Sequence, residues 1–290
     1  IKAAILEVLK KEPSILLRES IIHSMSLIIE SKIQWPELSQ YTQDLLQSSE
    51  PIQIETALKI LFVWIPSFPK EEFLLMAPFI GQNIISALST DSVDIQIDGF
   101  NLLAQSISFF DSQLVSPFSD ALNRIFEVFH QMMIQQNDNA FKISRIIEHI
   151  IESNNNSINI NQLISIFLQL AQDGNISPNY YFTIFCPLST LAEKCSLDQL
   201  KPFAGDIMKS TILCISKSLN DECFSEDSLG LYISYLIDSL IECMNNEKLF
   251  NVALSLLPDN SVNEAYAAAI VFNRFLEFSD SIAIKYSVEL

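Results

Sequence analysis

The chain has 290 residues, of which 49% are hydrophobic, and its formal net charge is −18 from 35 acidic and 17 basic residues. A chain of this length and composition can bury a large core. The excess of acidic residues argues against nucleic acid or an anionic membrane as a partner, because phosphate recognition needs a basic surface, and it suits a basic partner. The alternative is that the acidic residues only keep a hydrophobic chain soluble.

Helical periodicity is the main structural signal. The chain has only 5 glycines and 11 prolines, so the turn signals that β-hairpins need are scarce. In the stretch QWPELSQYTQDLLQSSEPIQIETALKILFVW, Leu38, Tyr41 and Leu45 recur at helical steps. Pro36 and Pro51 stand where a first-turn proline is tolerated, because the missing N–H would have no partner there. This stretch is therefore predicted to be a helix, a short turn and a second helix.

The same hairpin pattern recurs along the chain at a period of about 35 to 50 residues, which is typical of stacked two-helix repeats. We predict an all-α superhelix of the HEAT or armadillo type, a single solenoid over residues 1–290 with about seven antiparallel helix hairpins. Second helices would line its concave wall and first helices its convex wall. The predicted hairpins span 1–30, 36–65, 71–109, 112–153, 158–194, 197–244 and 247–278, followed by a half repeat at 279–290.

The candidate binding residues are polar side chains that form stripes along the second helices of the predicted hairpins. On a predicted helix from Val93 to Phe110 the stripe residues are Asp94, Asp98, Asn101, Gln105 and Ser108, and on an earlier helix they are Glu19, His23, Ser26 and Glu30. Carboxylates accept charge-assisted hydrogen bonds from Lys or Arg, and amides can bind the backbone of an extended peptide. We therefore expect a ladder for basic cargo, with solvation of an outward face as the alternative. Asp238 and Glu242 form a further acidic pair.

Catalysis finds little support in the sequence. The three histidines lack metal-ligand spacing, and no phosphate-binding loop or nucleophile motif is present, so we expect no enzyme, no cofactor and no metal. The five cysteines are odd in number and form no Cys-x-x-Cys pair, which favours reduced thiols in the cytosol or nucleus. The longest uncharged window, Phe73–Thr90, contains proline, glycine and amides, so no membrane insertion is expected. The first residue is Ile1 rather than Met, which suggests a portion of a longer chain.

Three segments carry a resemblance to a known family. These are EPSILLRESIIHSMSLIIE at 12–30, QWPEL at 34–38 and ALKILFVW at 57–64. They resemble the karyopherin-β (importin-β) family of nuclear transport receptors, and within it the importin branch that carries ribosomal proteins and histones. In that family a second helix often begins with an apolar-Arg pair, here Leu17-Arg18, and the next first helix with a Trp-Pro pair, here Trp35-Pro36. The chain departs from the pattern at Glu55, which lies where an arginine is expected.

The resemblance implies a monomeric receptor that shuttles between cytoplasm and nucleus. Such a receptor binds basic protein cargo on its concave wall, releases it when the GTP form of the small GTPase Ran binds, and contacts Phe-Gly repeats of nucleoporins on its convex wall. The alternative is a HEAT-repeat scaffold or adaptor for another complex, of the phosphatase or vesicle-coat type, with no response to Ran.

Overall fold

The computed structural model describes residues 2–31, 35–108, 118–154, 159–195, 197–218 and 262–278, together with 233, 236–238, 240 and 251. Within these residues the regular structure is helical, so the all-α prediction is confirmed. The helices are α1 (Lys2–Lys11), α2 (Ile15–Glu30), α3 (Pro36–Leu46), α4 (Pro51–Trp64), α5 (Lys70–Leu88), α6 (Val93–Ile107), α7 (Ser119–Ile134), α8 (Asn139–Asn154), α9 (Ile160–Gln172), α10 (Tyr181–Lys194), α11 (Leu197–Leu200), α12 (Ala204–Ser218) and α13 (Val262–Phe278).

The chain divides into two compact units, Ile1–Ile125 and Phe126–Leu290. In the amino-terminal unit, helices α1 to α6 follow one another as three hairpins, and α2, α4 and α6 pack side by side in chain order. Leu9, Met25 and Leu38 are fully buried between the first two hairpins. We call α2, α4 and α6 the second helices of the three hairpins. Because they are neighbours, the side chains on their shared outer face come from three successive hairpins.

Local sequence explains where these helices begin and how closely they pack. Pro36 and Pro51 occupy the first helical positions of α3 and α4, as predicted. The backbone N–H of Leu17 donates to the Ser14 hydroxyl over 3.5 Å at the start of α2. Gly99 lies inside α6, where an added Cβ would stand 3.1 Å from the Cβ of Ala87. The absence of a side chain at this position therefore lets α5 and α6 approach closely.

In the carboxy-terminal unit, α8 packs on α10, α9 packs on α10 and α12, and α13 packs on α12. The rings of Phe129 and Phe167 meet edge to face, with centroids 5.7 Å apart. The Ser144 hydroxyl of α8 donates to the Thr183 carbonyl of α10 over 2.9 Å. Much of the predicted hairpins 197–244 and 247–278, and all of the half repeat 279–290, lies outside the described residues.

Three cysteines of this unit, Cys186, Cys195 and Cys214, are buried and form no disulfide bond among the described residues. Burial raises the pKa of Cys195 to about 11 and the pKa of Cys214 to about 12, against an ordinary value of 9.0. The thiols of Cys195 and Cys214 are therefore held in the unreactive protonated form. Cys223 and Cys243 lie outside the described residues.

Candidate functional site

The polar stripes predicted on α2 and α6 lie on either side of α4, and a lysine of α4 connects them. The Lys59 Nζ atom is 2.6 Å from Glu19 Oε1 of α2 and 2.7 Å from Glu55 Oε1 of its own helix. It is also 3.8 Å from Asp98 Oδ2 of α6. One cation therefore contacts carboxylates from three successive second helices, and we name Glu19, Glu55, Lys59 and Asp98 the bridged cluster.

Asp98 is the member of the bridged cluster whose ionised form is disfavoured by burial. Its side chain is only 14% exposed, and its Oδ2 atom accepts no hydrogen bond among the described residues. Burial raises the pKa of Asp98 to about 7. Lys59 acts in the opposite direction, while Glu55, Glu19 and Asp94 raise the pKa further by repulsion. A cation that reached this carboxyl from solvent would favour its ionised form.

Lys59 itself stays charged. Burial acts to lower the pKa of Lys59, but its hydrogen bonds to Glu19 and Glu55 and the nearby Asp98 outweigh burial and raise it. Since its hydrogen bonds go to the two glutamates, Lys59 neutralises Asp98 only in part. The bridged cluster therefore keeps an excess of negative charge, two or three carboxyls against one ammonium.

The other stripe residues differ in exposure. Asn101, Gln105 and Ser26 are half-buried, while Asp94, Ser108, Glu19, His23 and Glu30 are exposed. Helix α6 spans Val93–Ile107 with Ser108 in the C-cap position, and Phe110, where the predicted helix ended, lies outside the described residues. The Ser108 hydroxyl donates to the Gln105 carbonyl over 2.7 Å, and the Ser26 hydroxyl donates to the His23 carbonyl over 2.7 Å. These two hydroxyls are therefore engaged with their own helices.

Arg18 holds two of the second helices together and is not directed at solvent. Its Nη1 atom donates to the Thr56 hydroxyl over 2.6 Å and to the Ile52 carbonyl over 3.3 Å, both on α4. Its Nε atom donates to the Glu12 carbonyl just before α2. The arginine of the Leu17-Arg18 pair thus fixes the register between α2 and α4, which places Glu19 beside Lys59.

The structure describes only one residue of the predicted acidic pair Asp238 and Glu242. Asp238 is half-buried, not exposed, and lies among the buried residues Leu236, Ile237 and Leu240. Glu242 lies outside the described residues. This pair is therefore left as a sequence prediction.

Glu55 and Lys59 were not among the site residues predicted from the sequence. Their spacing of four residues on α4 was the available signal, since residues four apart on a helix share a face. Their contacts to α2 and α6 depend on how far each helix is rotated about its axis, and a helical pattern in the sequence does not fix that rotation.

In the described part of the chain no group of His, Cys, Asp and Glu side chains is arranged to hold a metal ion. No helix described here has the length and apolar content to cross a membrane.

The fold of this chain is also found in solved structures of other proteins. No protein-family model and no curated protein matches the chain. Solved structures of the karyopherin Kap121p do match. The complex with RanGTP has a TM-score of 0.75, with 15% identity over 98% of this chain and 29% of that chain. The complex with Ste12p has a TM-score of 0.75 and 16% identity, over 100% of this chain and 30% of that chain. The complex with Nup53p has a TM-score of 0.74 and 16% identity, over 99% and 30%.

The chain thus spans about a third of the length of the solved structures that it matches. The predicted fold class is confirmed: this is an α-α solenoid of the HEAT type, the fold of the karyopherin structures. At 15–16% identity the likeness establishes the fold alone.

Proposed function

We propose that the chain is a segment of a nuclear import receptor of the karyopherin-β type, a binding protein and not an enzyme. The observation that carries this proposal is the bridged cluster, an acidic surface built across three successive second helices of a karyopherin-like solenoid. The importin branch suggested by the sequence resemblance belongs to the same proposal. The receptor would act as a monomer that shuttles between cytoplasm and nucleus.

Basic cargo is the partner that this surface fits best. Asp94, Glu19 and Glu30 present exposed carboxylates, and Asn101 and Gln105 supply amides along α6. A Lys or Arg of the cargo would pair with the carboxylates, and the amides would bind the backbone of an extended peptide. Exposed pairs of this kind are screened by salt, so binding should weaken as ionic strength rises.

Lys59 gives the proposed site an internal competitor. It occupies the position between Glu19, Glu55 and Asp98 that a cargo ammonium would need. Cargo lysines would therefore either displace Lys59 or pair with the outer residues Asp94 and Glu30. Replacing Lys59 by Met removes the competing charge and keeps the aliphatic stem. A basic peptide is expected to bind this variant more tightly than the wild-type chain, and weaker binding would show that Lys59 supports the site.

The proposed partners also include Ran-GTP and Phe-Gly nucleoporins. Support comes from the sequence resemblance and from the similar fold of Kap121p, which has been solved bound to RanGTP and to Nup53p. The proposed binding of Ran is tested by titrating the protein, at physiological salt, with Ran loaded with GTP or with GDP. Preference for the GTP form is the expected result.

A HEAT-repeat scaffold or adaptor is the second candidate, because the fold alone is compatible with many protein partners. A scaffold would bind neither form of Ran. In the same titration, equal weak binding of both forms or no binding would favour the scaffold over the receptor.

A further inference from the structure

A large groove opens at one edge of the amino-terminal unit. Its volume is about 1040 Å³, and its walls come from the carboxyl ends of α2, α4 and α6 and the amino ends of α3 and α5. Aromatic, proline and methionine side chains make up much of the lining, among them Trp35, Pro36, Phe62, Trp64, Phe68 and Met76. A groove of this size can hold a large side chain and part of a peptide backbone.

The aromatic lining is partly fixed and partly open to solvent. The rings of Trp64 and Phe68 pack with centroids 5.1 Å apart. Phe62 is 39% exposed, which is unusual for a phenylalanine beside a core. Trp35 is only 7% exposed, yet its indole N–H meets no acceptor among the described residues. A buried donor without an acceptor is costly, so an incoming carbonyl that reached it would be favoured.

The groove is continuous with the polar surface. Ser26 and Glu30 of the α2 stripe and Gln105 of the α6 stripe are also groove residues. Glu30 and Glu72 are the charged side chains among the described lining residues, so the groove has a negative rim. An apolar floor beneath an acidic rim suits a large apolar side chain that is followed or preceded by Lys or Arg.

We propose that this groove anchors one large apolar side chain of the same basic peptide that lies on the polar surface. This inference rests on the proposed function and adds an apolar anchor to it. Along α6, Asp98 and Gln105 are seven residues apart, or about 10 Å at the rise of a helix. Along α2, Glu19 and Glu30 are eleven residues apart, or about 16 Å. An extended peptide covers these distances in roughly three to five residues, which sets the spacing between its lysine and its anchor.

The two tryptophans of the chain, Trp35 and Trp64, both line the groove, so intrinsic fluorescence reports on it. The test titrates the chain with a lysine-cluster peptide that carries leucine four positions away, and with the same peptide carrying serine instead. The leucine peptide is expected to change the tryptophan emission and to bind about tenfold more tightly, since burying one leucine corresponds to roughly that factor.

Variants separate the groove from general hydrophobic binding. Phe62→Ala should remove the advantage of the leucine peptide and leave the serine peptide unaffected, because Phe62 lines the groove. Leu75→Ala is the matched control, since Leu75 is 84% exposed and is not a groove residue. Helical circular dichroism would establish that both variants are folded.

The outcomes distinguish this inference from the proposed function. Equal binding of both peptides without a change in emission would overturn the anchor and leave the basic-peptide site standing. Binding of neither peptide at physiological salt would overturn both. Unchanged binding of the leucine peptide to the Asp94→Lys, Asp98→Lys chain, with the emission change retained, would support the groove and overturn the proposed cargo surface.

Discussion

Replacing Asp98 by asparagine is expected to stabilise the amino-terminal unit, and by more at pH 8 than at pH 5. The amide keeps the shape of the side chain and removes the carboxyl that burial places at a pKa of about 7, against an ordinary value of 3.8. In the unfolded chain this carboxyl ionises near its ordinary value, so between about pH 4 and pH 7 the native state binds the additional proton. The wild-type chain therefore loses stability as the pH rises through that window, and the variant has no such loss.

The size of the effect follows from the same two values. One pKa unit corresponds to 1.36 kcal/mol, so the shift at Asp98 limits the total cost of ionisation to about 4 kcal/mol. Of this cost, about 2–3 kcal/mol develops between pH 5 and pH 8. The free energy of unfolding of the Asp98→Asn chain, relative to wild type, should increase by that amount across the interval. The side chain is 14% exposed, so solvent reduces this value only moderately.

Urea unfolding at the two pH values measures this difference. Tryptophan fluorescence is a suitable signal because Trp35 and Trp64, the two tryptophans, both lie in the amino-terminal unit. Asp91→Asn, at an exposed position outside the bridged cluster, is the matched control for the removal of one surface carboxyl. An Asp98→Asn chain that is less stable than wild type at pH 8 would refute the reasoning, because it would mean that attraction to Lys59 outweighs burial.

Three further predictions concern the two units. Arg18→Ala should lower the free energy of unfolding of the amino-terminal unit by about 1–3 kcal/mol, because the hydrogen bonds from α2 to α4 are lost. Phe167→Ala should cost about 3–5 kcal/mol in a urea titration followed by circular dichroism, since this ring is fully buried. With Cys223 and Cys243 replaced by serine, the native chain should react slowly with a thiol reagent at pH 8, because burial raises the pKa of Cys214 to about 12.

Each of these predictions has a result that would contradict it. An Arg18→Ala chain with wild-type stability would mean that the hydrogen bonds to α4 contribute no net free energy. If Phe167→Ala unfolds at the same urea midpoint as the wild-type chain, neighbouring side chains must fill the space of the removed ring and leave no cavity. Rapid thiol reaction in the native chain would mean that the carboxy-terminal unit opens readily.

Local features of the fold were predictable because they depend on neighbouring residues. The positions of Pro36 and Pro51 follow from their missing N–H groups, and both were assigned correctly to first turns. The all-α class followed from periodicity and from the scarcity of glycine. The predicted end of α6 at Phe110 lies outside the described residues and stays a prediction.

The contacts of the site were less predictable because they join residues about 40 positions apart. The stripes on α2 and α6 were visible as spacing, but the position of Lys59 between them depends on the packing of α4. The groove was missed for a related reason. Trp35 and residues 66–69 fall between the hairpins predicted from the sequence, whereas in the structure they also form walls of the groove. Boundary residues of successive hairpins meet only after the hairpins stack.

The central claim is that the acidic residues of the second helices bind basic cargo, and a charge-swap titration tests it most directly. A lysine-containing peptide and its glutamate counterpart are titrated, at physiological salt, against the wild-type chain and the Asp94→Lys, Asp98→Lys chain. The account predicts that the double substitution weakens binding of the lysine peptide and creates binding of the glutamate peptide, because attraction follows the product of the charges. Unchanged affinity for the lysine peptide in a chain with wild-type circular dichroism would contradict the account.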